Sequence, residues 1–240
     1  MAKIKKTILA SNFLEAARRG DLRGVEKGIQ AGFAKTARTP NLSERNKFLS
    51  SVVPEDERTA LMLAAEAGQM ECAKALLPAS DPLAVDFRGA SALFLAAMAG
   101  QAGMVKLLAT QQAANVLGPR EMTSLMAAAA RGDLGCIEVL LPLSDPLAVD
   151  ENGWDALMWA VASRQESDSD HDPVLALLVE CCCLTARNKA GQLAADVAAR
   201  ARNPKRAIFL VEYEARKTRG ELLADKTILS GARPSRTKSL

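Results

Sequence analysis

The chain has 240 residues and a formal net charge of +3, and 49% of it is hydrophobic although only nine residues are aromatic. Such a chain can bury a sizeable core, but one filled mainly by alanine and leucine, whose small side chains let helices approach closely. Residues 218–240 hold five Lys/Arg against two Asp/Glu, which equals the excess of the whole chain; the remainder is near neutral and has no basic stripe of the kind nucleic-acid binding requires.

Taken from the start, Lys3, Lys5 and Lys6 precede a short apolar run that Ser11, Asn12 and Glu15 interrupt before it reaches the length of a signal-peptide core. No later stretch approaches the ~20 apolar residues that span a bilayer, so a cytoplasmic location is expected. Residues 13–32 read as a helix pair whose charged residues, Arg18, Arg19, Asp21, Arg23, Glu26 and Lys27, suit the wetted end of a stack. Residues 36–53 follow as an insertion, in which Ser43 as a cap and Phe48, Leu49 and Val52 as an apolar face predict a short extra helix.

From residue 55 a period of thirty-two takes over. Residues 76–86 read LLPASDPLAVD and residues 140–150 read LLPLSDPLAVD, ten of eleven positions being the same. Stretches beginning at Thr59, Ser91, Thr123 and Asp155 recur at that period: TALMLAAEAG, SALFLAAMAG, TSLMAAAARG and DALMWAVASR. A fixed period of this size denotes a stacked repeat array in which each unit contacts its neighbours.

One unit is legible in detail. Asp86 and Gly89 bracket a turn in which Asp bonds its own backbone and Gly accepts positive φ. Ser91 then sits at a helix N-cap, as do Thr59, Thr123 and Asp155 in the other units. Leu93, Ala96 and Ala97 form an apolar stripe at helical spacing, matched by Leu61, Leu125 and Leu157. Gly68, Gly100 and Gly132 end the first helix, and a second helix carries Ala73 with Leu76 and Leu77, then Val105 with Leu107 and Leu108, then Ile137 with Leu140 and Leu141. Pro78 and Pro142 stop its continuation. Cys72, Met104 and Cys136 share one position of that helix, a core slot and not a metal site.

The segments DFRGASALFLAAMAG (86–100) and DENGWDALMWAVASR (150–164) resemble the ankyrin repeat pattern D-x-x-G-x-T-P-L-H-x-A-A-x-x-G, with a second helix ending in Leu-Leu. The resemblance covers residues 8–217 and implies an all-α, ankyrin-type helix-turn-helix solenoid of about six repeats. The expected divisions are a capping repeat at 1–34, the insertion at 35–54, repeats at 55–86, 87–117, 118–150 and 151–187, a C-terminal capping repeat at 188–217 with Leu193 at its cap position, and a basic tail at 218–240. The sequence departs from the family at its histidine, here Met62, Phe94, Met126 and Met158, so apolar packing is expected where the family forms loop hydrogen bonds.

The resemblance further implies that turn tips and the exposed face of each first helix dock another protein. Carried over position by position, this selects Phe87, Arg88, Met98, Arg120, Met122, Arg131, Glu151, Asn152 and Trp154, flanked by the acidic Glu55, Asp56 and Glu66. Trp, Phe and Arg dominate interface energetics, and this mixture suits an apolar segment bearing a few acidic residues. Trp159 is expected to pack in the core, since its slot matches Leu63, Leu95 and Ala127.

Other features point to less. Residues 166–172, ESDSDHD, form an insertion carrying the sole histidine, His171, but lack the turn glycine and terminal Glu of a calcium loop. Cys181, Cys182 and Cys183 fit neither a disulfide framework nor zinc spacing and read as a semi-buried helix end. No phosphate-loop, dinucleotide, metalloprotease or nucleophile-elbow motif occurs. The reading is a non-catalytic, monomeric scaffold for a protein partner, without cofactor or metal. A second reading makes it a secreted or host-directed effector whose basic termini contact anionic membrane or nucleic acid.

Overall fold

A computed structural model describes residues 2–34, 57–163, 172–201 and 203–219, with side chains from residue 8 onward. The inserted segment with Ser43 and Phe48, the acidic residues Glu55 and Asp56, most of the 166–172 loop including His171, and the tail from residue 220 lie outside the described residues.

Thirteen α-helices occur among the described residues: α1 (Ala2–Arg19), α2 (Leu22–Gln30), α3 (Ala60–Glu66), α4 (Met70–Leu76), α5 (Ala92–Ala99), α6 (Ala102–Leu108), α7 (Gln111–Ala114), α8 (Ser124–Arg131), α9 (Leu134–Leu140), α10 (Ala156–Ala162), α11 (Pro173–Cys181), α12 (Ala194–Arg200) and α13 (Pro204–Thr218). They pair as α1–α2, α3–α4, α5–α6, α8–α9, α10–α11 and α12–α13. The first helices of the pairs pack in one row, α1 on α3, α3 on α5, α5 on α8, α8 on α10 and α10 on α12; the second helices from α2 to α11 form a parallel row. Among the described residues the main contacts of a pair are thus with itself and its neighbours, as a solenoid requires.

The caps form as the sequence predicts. Thr59, Ser91, Thr123 and Asp155 accept from the backbone N–H groups of Met62 (3.3 Å), Phe94 (3.2 Å), Met126 (3.2 Å) and Met158 (2.8 Å). Burial pushes the Asp155 carboxyl up from its ordinary range, which is the electrostatic cost of using Asp where the other repeats use a hydroxyl. Leu61, Leu93, Leu125 and Leu157 are fully buried, as are Cys72, Met104 and Cys136 in their shared slot. Burial drives the Cys136 thiol up to about 12, leaving it an inert apolar filler.

Three features depart from the sequence reading. The family-histidine slot is not purely apolar: the thioethers of Met62 and Met126 accept from the N–H groups of Thr59 (3.4 Å) and Thr123 (3.5 Å), completing a reciprocal cap with sulfur as acceptor. The helix α7 fills the place taken elsewhere by the LLPxSDPL loop, where Asp81 and Asp145 bond the N–H groups of Leu83 (3.0 Å) and Leu147 (2.9 Å). Lastly, Arg206 of α13 is buried. Its guanidinium donates to the carbonyls of Ala160 (2.9 Å) and Ser163 (3.0 Å) and to Ser163 Oγ (2.9 Å), and pairs with Asp172 at 2.9 Å. Asp172 also caps α11 through the N–H of Val174 (3.1 Å), so one ion pair clamps the last helix pair onto the one before it.

Candidate functional site

The turns between repeats project beyond the first-helix row as short hairpins. In the turn at 86–90, Asp86 Oδ1 accepts from the N–H groups of Arg88 (2.9 Å) and Ala90 (2.8 Å), while the Asp86 N–H donates to Ala90 O (3.0 Å). The turn at 150–154 repeats this with Asp150 accepting from Asn152 (2.8 Å) and Trp154 (2.9 Å), and that at 188–192 repeats it with Asn188 accepting from Ala190 (3.0 Å) and Gln192 (2.9 Å). A short acceptor at the first position therefore fixes the hairpin.

The intervening turn, at 118–122, is built otherwise. Gly118 stands in the Asp position, where a Cβ would lie 2.6 Å from the Phe94 ring; the phenylalanine in the family-histidine slot has taken that room. Without the Asp acceptor, Arg120 (φ 61°) and Glu121 (φ 62°) are both left-handed, a conformation that costs a residue with a Cβ about 1–2 kcal/mol.

Successive turns are stitched edge to edge. The Glu151 N–H donates to Arg120 O (3.1 Å) and the Lys189 N–H to Asn152 O (3.0 Å). Gly153 permits the second contact, since a Cβ there would come within 3.0 Å of Lys189 N and its φ is +76°. Pro119 has no N–H with which to make the equivalent contact to the 86–90 turn. Arg120 adds a side-chain hydrogen bond to Glu151, and that bond holds the guanidinium above its already high value.

Of the residues selected from sequence, Phe87 (51% exposed) and Met98 (47%) lie open, as do Arg88, Arg120, Arg131, Glu151 and Asn152. Arg88 sits over the Phe87 ring at 5.1 Å, and Arg131 reaches back to Met98 O at 3.4 Å. Met122 is a correction: at 8% exposure it is part of the core. Trp154 is half-buried. Its ring packs on Trp159 at 5.0 Å and 54°.

Trp159 packs against the core as expected, but only in part. It is half-buried, not enclosed, and with Trp154 it forms one wall of a recess of about 550 Å³ whose opposite wall is the 188–192 turn, with Lys189 and Ala190 at its tip. Arg120 and Asn152 close the recess at the side of the preceding turns. The Trp159 indole N–H is shielded from solvent and has no acceptor among the described residues.

An array of helix pairs joined by Asx-stabilised hairpins, with apolar first-helix stripes facing one another, is the ankyrin architecture, and the family model for ankyrin repeats (3 copies) matches residues 13–117 and 125–220. The chain belongs to the ankyrin repeat family. No curated protein matches it as a relative. Ankyrin repeats are in general protein–protein interaction modules and are typically non-enzymatic. No helix among the described residues is long and apolar enough to cross a membrane.

The cysteines have separate fates. Cys182 is buried and its thiol is pushed up to about 12 by burial, whereas Cys183 is exposed and its thiol is lowered by the Thr185 hydroxyl at 3.4 Å. Cys181 is exposed at the end of α11.

Proposed function

We propose that this ankyrin array is a non-catalytic scaffold that docks one protein partner along its turn tips and first helices, from Phe87 to the recess beside Trp154. The supporting observation is the recess itself: two indole rings and the following turn leave a cleft in the row of hairpins that the described residues do not fill. Tryptophan in a partly desolvated cleft with a polar, arginine-bearing rim is the composition of an interface hot spot. Phe87, Arg88, Met98, Arg131, Glu151 and Asn152 extend this surface toward the N-terminal repeats; Met122 supports it from beneath and does not touch the partner.

The test is photo-crosslinking from position 98 in the source cell, comparing the unaltered chain with the double variant Trp154→Ala, Arg120→Ala. The yield of the crosslinked partner falls at least tenfold while the far-ultraviolet circular dichroism stays the same. An undiminished yield removes the docking surface from this face.

A further inference from the structure

We infer that the recess between the Trp154–Trp159 pair and the 188–192 turn is an anchor for one carboxylate-bearing side chain of the docked segment, held beside an apolar neighbour. The inference rests on the docking reading and adds the chemistry of its central contact.

Charge complementarity carries it. Among the described residues no carboxylate lines the recess, and Glu151 beside it is already engaged by Arg120. Lys189 lies exposed at the tip of the opposite turn with its backbone fixed by Asn152 O, and its ammonium makes no ion pair among the described residues. Nearby acids are consumed inside the protein: Asp150 and Asp155 are buried, and both are spent on backbone N–H groups. The polar inventory is accordingly rich in donors, with Lys189 and the Asn152 amide both able to meet an acceptor. The two rings supply apolar area for the methylene groups and for the adjoining residue. A cationic side chain finds no counter-charge here, and a purely apolar one leaves the donors unsatisfied.

Trp154 and Trp159 are the chain's two tryptophans, so intrinsic fluorescence reports on this site. The full chain is used to select from a phage-displayed library of twelve-residue peptides, and the enriched peptides are titrated while tryptophan emission is followed. Enrichment of an Asp or Glu next to an apolar residue is expected, with an emission shift on binding. Replacing that acid by its amide weakens binding about tenfold, and the exposed-site variant Lys189→Glu shifts selection toward basic peptides. Neutral or basic winners on the unaltered chain overturn the anchor, as does binding that Lys189→Glu leaves unchanged. Glutarate alone shifting emission as strongly as the peptides overturns it too, making the recess a small-anion site. A library without any binder overturns it likewise. The docking reading is judged apart from all of these, by the crosslinking yield from position 98.

Discussion

The turns at 86–90 and 118–122 occupy the same place in consecutive repeats and reach it by different physics. The first is organised by one buried carboxylate that satisfies two backbone donors, with a glycine at its left-handed position (φ 86°). The second has neither, because Phe94 excludes a Cβ at 118, and it places two side-chain-bearing residues in left-handed backbone instead. It keeps its backbone closure, Gly118 N–H to Met122 O at 2.7 Å, and adds an external hold: Arg120 is bonded through both its carbonyl and its guanidinium to Glu151 of the next turn. A repeat that gives up its side-chain acceptor thus leans more on its neighbour, and it does so at the edge of the recess. Strained backbone that persists only because its surroundings determine it is a recurrent property of binding surfaces.

The largest expected effect breaks the well-built class of turn. Asp150→Ala strips two buried N–H groups of their acceptor and destabilises the chain by about 3 kcal/mol, read from urea unfolding. Next, Gly118→Asp, which restores the regular first residue, costs about 2 kcal/mol alone because it meets Phe94. Combined with Phe94→Met, the residue type found at 62 and 126, most of that loss is recovered. A double-mutant cycle showing simple additivity removes Phe94 as the cause of the irregular turn. Glu121→Gly relieves one left-handed residue and raises stability by about 1 kcal/mol, seen as a higher melting temperature. The smallest effect sharpens a second contrast. Arg58 lies 3.5 Å from the buried Asp86 carboxylate of the following turn, but the equivalent neighbour of Asp150 is Met122, which offers no charge. Met122→Arg is expected to add about 0.5 kcal/mol, the gain of a new charged contact being partly offset by lost burial.

Most of the fold was legible because it rests on interactions within a few residues. Thr59, Ser91, Thr123 and Asp155 bond a backbone N–H three positions on, so the sequence alone carries the information. The same holds for Asp86 and Asp150 in their turns. What escaped depends on the next repeat. Trp159 shares its slot with Leu63 and Leu95, both buried, and its half-open state follows from the shape of the 188–192 turn across the recess. Met122, the position before the cap, is assigned by sequence to the docking face, yet it is buried, as is Ala90 at the same place in the preceding turn. The sulfur acceptors at Met62 and Met126 were hidden because methionine reads as apolar filler. Arg206 carries no mark in the sequence, since its partners lie 43 and 46 positions away. The recess beside Trp154 reaches the 188–192 turn, one turn farther along than the residues selected from the sequence.

The two thioether caps have a use beyond holding helix ends. Met62 and Met126 are each 1% exposed, so peroxide reaches either sulfur only when its repeat loosens. Sulfoxide cannot be accommodated in so tight a site without loss of the cap. The rate at which each methionine gains oxygen, measured by mass spectrometry, is consequently a clock for the opening of its own repeat, and the pair of clocks shows whether neighbouring units breathe together or one at a time.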